Sequence, residues 1–196
     1  MNLLHVVICS TRPGRIGPAV ARWFGQFATE NSTFDVRLAD LADFALPVFD
    51  EPNHPKLGAY VHDHTKAWSA SVAAADAFVF VMPEYNAGPS PAFVNALCYL
   101  HKEWHHKPCG FVSYGGVSGG LRAVQLCKQI VTTLKLVPLI EGVPIPTVAE
   151  RLDAEGRFVS NPLIDASARA MLPELERWSQ ALKPMRASGS EGQATR

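Results

Sequence analysis

The sequence predicts a single α/β domain built on a doubly wound parallel sheet. Three observations lead there. Short apolar runs alternate with stretches of helical periodicity over five units. One run, Ala77 to Met82, is apolar almost without interruption, as in a strand covered on both faces. Polar, glycine- or proline-containing loops follow the carboxyl ends of the first, third and fourth runs.

Taken in order, Leu3 to Cys9 reads as a buried strand ending in a polar loop. Ile16, Val20, Trp23, Phe24 and Phe27 then recur at helical spacing, with Pro18 suited to the first turn, where a missing N–H costs nothing. Phe34 to Leu38 alternates as a second strand, and a proline-rich connection runs from Leu46 to Pro52. Val61, Thr65, Trp68, Val72 and Ala75 mark one face of a long helix. After the third strand and the loop 83–90, Pro91 opens a helix carrying Phe93, Val94, Leu97 and Cys98, with Ser90 as its expected N-cap. Gly110 to Tyr114 is the fourth strand, Val124 to Leu134 the next helix, and Val137 to Ile140 the fifth strand. Met171, Leu175, Trp178 and Leu182 suggest a last helix, with Pro173 implying a late start or a kink. The domain is expected over residues 1–185; residues 186–196, small and polar, read as a disordered tail.

The bulk numbers bound the function. Among 196 residues, 18 Lys and Arg balance 18 Asp and Glu. A general nucleic-acid or membrane-surface binder needs a basic excess, so neither partner is expected. The N-terminus lacks the basic region of a signal peptide, and no run approaches a membrane span. Cys9, Cys98, Cys109 and Cys127 have no metal-like or redox-like spacing, and read as reduced thiols in a cytoplasmic protein. At least three of them suit the role of small buried hydrophobes.

The three loops carry the chemistry. Residues 10–17 read Ser-Thr-Arg-Pro-Gly-Arg-Ile-Gly. Two hydroxyls, two guanidinium groups and two glycines directly before a helix suit an anion, because helix N-termini offer free N–H donors and Arg grips phosphate oxygens in parallel pairs. Neither GxGxxG nor GxxxxGK[ST] is present. Cys9 and Arg15 do have the C-x5-R spacing of a low-molecular-weight phosphatase, the alternative hydrolase reading. Ile16 in place of the hydroxyl residue that follows such an arginine, and Pro13 inside the cradle, both weigh against it. Residues 83–90, Pro-Glu-Tyr-Asn-Ala-Gly-Pro-Ser, form a stiff loop that suits a planar heterocycle. Residues 113–120, Ser-Tyr-Gly-Gly-Val-Ser-Gly-Gly, let backbone approach a ligand closely. In a doubly wound sheet such loops meet in one crevice.

Ser10-Thr11-Arg12-Pro13-Gly14-Arg15, with Gly17, resembles the phosphate loop of the NAD(P)H-dependent FMN reductase family, flavodoxin-like enzymes that include quinone, azo-dye and chromate reductases. Pro83-Glu84-Tyr85-Asn86 resembles that family's most distinctive motif, and Ser113-Tyr114-Gly115-Gly116 its third flavin loop. The similarity spans about residues 3–182 in order and spacing. The resemblance implies a five-stranded sheet of order 2-1-3-4-5 with helices on both faces, and a noncovalent FMN. Its phosphate would lie on Ser10, Arg12, Arg15 and the backbone of Ile16 and Gly17. Its ring would lie against Pro83, Glu84, Tyr85 and Asn86, with Ser113, Gly115 and Gly116 closing the ring edge.

The resemblance further implies NADPH or NADH as co-substrate, and hydride passing through flavin N5 to a small acceptor such as a quinone, free flavin or azo compound in ping-pong order. It implies no catalytic acid or base, and a homodimer or homotetramer; no metal is expected, because no Cys or carboxylate spacing completes a site with His101 and His105 and HExxH is absent. Two departures matter: many members carry Ser or Asn where Gly17 stands, and Ala87-Gly88 is a less bulky continuation than usual. A non-enzymatic flavin carrier is the remaining alternative; such carriers are usually acidic, whereas this chain is neutral. His101 and His105, four apart, are expected on one helix face as solvated or interface residues. His62 and His64, two apart, are expected to point apart.

Overall fold

Strand alternation divides the apolar residues between two helical layers. The computed structural model describes residues 1–191, and among these it has five strands in one sheet. They are β1 (Leu3–Ile8), β2 (Asp35–Asp40), β3 (Ala77–Pro83), β4 (Pro108–Tyr114) and β5 (Val137–Ile145). The helices are α1 (Gly17–Asn31), α2 (Asp63–Ala74), α3 (Pro91–Cys98), α4 (Leu121–Thr133) and α5 (Pro162–Glu191). All neighbouring strands are parallel, in the order β2-β1-β3-β4-β5. This is the flavodoxin-like arrangement that the resemblance implies.

Leu4, Val6 and Ile8 of β1 face the same way as Val79 and Val81 of β3, and pack with Val20 and Phe24 of α1 and Met171 and Leu175 of α5. Val7 and Cys9 face the opposite way with Phe78, Phe80 and Met82, against Trp68 and Val72 of α2, Phe93 and Leu97 of α3 and Cys127 of α4. β3 is buried at every residue, because it is central and covered on both sides. The chain leaves β1 for one edge and returns to β3 on its other side, so strand order reverses between them. There the ladder continues upward, Cys9 N–H donating to Val81 O at 3.1 Å. This switch point aims the loops after β1 and β3 at one crevice.

β5 and α5 depart from the sequence reading. β5 continues past Ile140 to Ile145, although Gly142 and Pro144 interrupt its pattern. It is an edge strand, where a missing N–H costs little. α5 starts at Pro162 and runs through Pro173 and Pro184, so the late start does not occur. Its apolar stripe of Ile164, Ala168, Met171, Leu172 and Leu175 is buried against the sheet. That burial outweighs the ~3 kcal/mol cost of an internal proline. The helix also covers the beginning of the stretch expected as a tail, with Arg186 paired to Asp76 at 2.8 Å; residues 192–196 lie outside the described residues.

The histidine expectations also change. α3 ends at Cys98, so His101 and His105 share no helix; a short 3-10 turn at Lys102–Trp104 brings their rings edge to face at 4.8 Å instead. His62 is the N-cap of α2 rather than part of it, so helical phase does not separate it from His64. Their rings stack at 5.1 Å, with His64 Nε2 3.0 Å from Asp50 Oδ1.

Candidate functional site

The three loops do converge. A hollow of about 140 Å³ at the carboxyl end of the sheet is lined by Arg12 and Ile16 from the first loop and Pro83, Glu84 and Tyr85 from the second. Tyr114 and Gly115 from the third loop, and Val148 from the connection after β5, complete it.

The first loop ends in an uncapped helix. No side chain caps the start of α1, and its first turn carries no acidic residue, so the partial positive charge of this terminus has no side-chain partner, although the Ala19 N–H is already bonded to Ile16 O at 2.9 Å. Pro18 lies in the first turn, as its lack of an N–H allows. Arg12 is exposed, with one contact at 3.2 Å to the carbonyl of Pro13. Arg15 is placed differently. Its Nη1 and Nη2 lie 2.7 and 2.6 Å from the two carboxylate oxygens of Asp40, and Nη1 also donates to Ser10 O. Its fork is therefore committed to the end of β2, not open to a ligand. Ser10 is fully buried and its Oγ lies 3.2 Å from the Tyr114 hydroxyl.

The second loop is a tight two-residue hairpin. Tyr85 and Gly88 exchange both backbone hydrogen bonds, at 2.9 and 2.8 Å, around Asn86 and Ala87 at φ 49° and 60°. Two consecutive left-handed residues make a type I′ turn; asparagine tolerates this, while alanine is strained there. Tyr85 is half-buried and Asn86 exposed on its rim. Glu84 lines the hollow and binds the start of α4. It accepts from the Ser118 hydroxyl at 2.7 Å and from the amides of Arg122 and Ala123 at 3.1 and 3.4 Å. Burial works against its ionised form, but these hydrogen bonds outweigh it and hold the carboxyl below its ordinary range. Glu84 thus ties the second loop to the third. Ser90 stands at the N-cap of α3 without a capping side-chain bond.

In the third loop Ser113 turns inward and donates to Gly119 O at 2.8 Å, while Gly115 and Gly116 face outward. A Cβ on Gly116 would meet nothing within 4 Å, so this backbone is open to a ligand. Gly120, at φ 84°, is required: a Cβ there would lie 2.7 Å from Tyr114 N. The β5 connection closes the loop from beneath. Thr147 N–H donates to Gly116 O and Val148 N–H to Gly115 O, at 3.0 and 3.2 Å. Thr147 holds φ 45°, a strained value for a β-branched residue, which places these two amides.

Sequence reasoning missed Tyr114, Val148 and Asp40 as parts of the site. Strand alternation carries a signal for Tyr114, which shares a face with Val112 and so points toward α1. Val148 and Asp40 have none, because each is fixed by long-range packing. The phosphatase alternative fails here. Cys9 is fully buried with its thiol toward Val7 O, burial pushes that thiol well above its ordinary range, and Arg15 is committed to Asp40. All four cysteines are free, with Cys9, Cys109 and Cys127 buried. Among the described residues no three His, Cys, Asp or Glu gather as a metal site, and no helix is long and apolar enough to cross a membrane.

Residues 1–150 match the family model for NADPH-dependent FMN reductase. The chain belongs to that family. With the family come its enzyme class, an oxidoreductase, and the pair of molecules the class works with, FMN and a nicotinamide dinucleotide. An NAD(P)H-dependent FMN reductase of Schizosaccharomyces pombe is 41% identical over 145 residues, covering 72% of each chain. One from Nectria sp. is 32% identical over 155 residues, covering 76% of this chain and 77% of its own. Among solved structures, the flavoenzyme NAD(P)H:(acceptor) oxidoreductase FerB of Paracoccus denitrificans has the same fold, at TM-score 0.69 and 17% identity over 94% of this chain and 98% of its own.

The donor set around the hollow fits this family's flavin. The Arg12 guanidinium, the Tyr114 hydroxyl and the backbone of Ile16 and Gly115 line the hollow, and the nearby carboxylates of Asp40 and Glu84 are both engaged in hydrogen bonds within the protein.

Proposed function

We propose that this FMN reductase family member passes hydride from NADPH or NADH, through FMN, to a small planar acceptor such as a quinone, a free flavin or an azo compound, in ping-pong order. The observation that carries this reading is the convergence of the three loops on one cleft at the strand-order switch point, with an uncapped helix N-terminus at one end and a rigid hairpin at the other. When bound, FMN supplies a ring that accepts hydride from one partner and yields it to the next.

The chain's own residues bind and orient. Arg12 and the leading amides of α1 hold the phosphate. Arg15 acts through Asp40, fixing the loop after β1 against the end of β2. Pro83, Tyr85 and Asn86 would form the wall for the ring, held in place by Glu84, and the backbone of Gly115 and the open backbone of Gly116 would meet its edge. No side chain is assigned a proton transfer. A hollow of about 140 Å³ is too small to enclose a flavin ring, so nicotinamide and acceptor would take turns at its open side.

Initial rates with NADPH and a quinone varied together test the order of events. Parallel double-reciprocal lines are expected, and lines that intersect would overturn the shared site. The reading extends to a cytoplasmic homodimer or homotetramer, supported by the exposed apolar side chains of Val48, Leu57 and Val61 between β2 and α2. Sedimentation of the purified chain as a monomer would remove that part.

A further inference from the structure

A cavity of about 720 Å³ lies at the amino-terminal end of the sheet. The end of α2, the 3-10 turn at Lys102–Trp104, the turn after α4 and Met185 and Arg186 of α5 enclose it. β4 connects it with the flavin hollow. Lys107, just before that strand, lines the cavity and Tyr114, at its far end, lines the hollow, so the two places are about 20 Å apart at the rise of a strand.

Lys107 is a buried cation without a counter-ion. It is 5% exposed, and its ammonium donates to Val72 O at 2.7 Å and to Ala73 O at 3.1 Å, in the last turn of α2. Those carbonyls bring only partial negative charge. Among the described residues no carboxylate pairs with it. The two carboxylates in the cavity wall are committed. Asp76 pairs with Arg186 at 2.8 Å and accepts from the Leu3 amide at 2.9 Å. Glu103 accepts from the Ser69 hydroxyl at 2.7 Å and from the His101 amide at 3.2 Å. Burial, and then Arg186, push the Lys107 ammonium down to about 8, so it is still mostly charged at neutral pH. A buried charge left unpaired is unfavourable, and an anion in the adjoining cavity removes that deficit.

The rest of the wall has the same sign. Lys102, Lys107, Lys135 and Arg186 stand against Asp76 and Glu103, an excess of two positive charges. His106 and Lys135, both in the wall, hold φ 57°, and the His106 amide donates to Lys135 O at 2.9 Å. Left-handed backbone is uncommon for such residues, and strain of this kind collects at ligand sites. His105 Nε2, in the same wall, is buried without a partner.

We propose that this cavity is a second ligand site, which takes a phosphate dianion, either free or as the phosphomonoester of a small molecule. Two negative charges match the positive excess, and the volume admits an organic body beyond the phosphate. The inference stands apart from the flavin reading, because the cavity and the hollow share no residue.

The test titrates the full chain, loaded with FMN and freed of excess, in a calorimeter at constant ionic strength. The probes are inorganic phosphate, phenyl phosphate and the singly charged phenyl sulfate. Both phosphates are expected to bind more tightly than the sulfate ester. A tighter phenyl phosphate assigns the site to a phosphomonoester; an equal or tighter inorganic phosphate assigns it to the free ion. Lys107→Met is expected to weaken phosphate about tenfold or more, by loss of a charged partner. Lys135→Asn keeps a residue that tolerates left-handed backbone and is expected to weaken phosphate about three- to fivefold. It decides the question if Lys107→Met does not fold. Lys66→Ala removes a lysine paired with Asp63 outside the cavity and is expected to change nothing. No binding of either phosphate, equal binding of the sulfate ester, or equal weakening by Lys66→Ala overturns the proposal. So does binding that survives Lys107→Met and Lys135→Asn but is lost in Arg12→Ala, which puts the phosphate in the flavin cleft instead.

Discussion

Arg15 lies fork to fork on Asp40, with its two terminal nitrogens 2.7 and 2.6 Å from the two carboxylate oxygens, and both side chains are more than four-fifths buried. Asp40 Oδ1 also accepts from the amide of Ala42 at 3.0 Å. The pair therefore joins the loop after β1 to the turn after β2. Removing the guanidinium leaves a mostly buried carboxylate without its cation. Arg15→Ala is expected to lower stability by about 2 kcal/mol in urea unfolding. Arg15→Lys should recover less than half, since an ammonium cannot make the parallel pair.

Arg12, by contrast, is exposed and touches only its own loop. Arg12→Ala is expected to leave unfolding of the flavin-free chain within about 0.5 kcal/mol of wild type. It should weaken FMN by about 1.5–3 kcal/mol, the value of a hydrogen bond to a charged group. Isothermal titration separates the two arginines, because Arg15→Ala should show the reverse pattern, a larger loss of stability and a smaller loss of affinity.

Glu84 caps α4 from the loop after β3, accepting from Ser118, Arg122 and Ala123. Glu84→Ala removes a helix cap and the link between two site loops. About 1–2 kcal/mol of stability should be lost, on the scale of a missing N-cap. Glu84→Gln keeps one acceptor and should lose less. Thermal unfolding of the two variants side by side checks the ranking.

His5 gives the fold a pH dependence. It lies 6% exposed in β1 with Nδ1 unpartnered, and burial, with Lys107 and Arg37 nearby, pushes its imidazole down to about 4 from 6.5. Above pH 6.5 the ring is neutral in both folded and unfolded chains. Between 6.5 and 4 only the unfolded chain takes up the proton, so stability falls as pH falls through this window, by up to about 3 kcal/mol. His105, also pushed down to about 4 by burial and then by His101, adds a slope of the same sign. Urea midpoints measured from pH 7 to pH 4 should decline, and His5→Leu should flatten that decline.

Much of this was legible because local pattern and burial agree. The run Ala77 to Met82 is a strand buried at every residue, and Pro18 and Pro91 mark true helix starts. The three loops were also legible, since glycine, proline and arginine collect where strands end. What was hidden depends on distant partners. Pro144 continues β5 only because that strand is an edge, and Pro173 stays helical only because Met171, Leu172 and Leu175 bury their side chains. Arg15 looked free until Asp40, 25 residues on, was brought beside it. His62 and His64 meet because one is a cap and the other is helical, a distinction that two-residue spacing does not encode.

The most direct measurement is the visible spectrum of the flavin-loaded chain on anaerobic mixing with NADPH. The purified protein should be yellow, release FMN on denaturation, and lose its flavin absorbance rapidly and directly on mixing. A protein that takes up no FMN, or one that keeps its flavin absorbance unchanged in excess NADPH and in excess NADH, would contradict the assignment of this cleft to FMN-mediated hydride transfer.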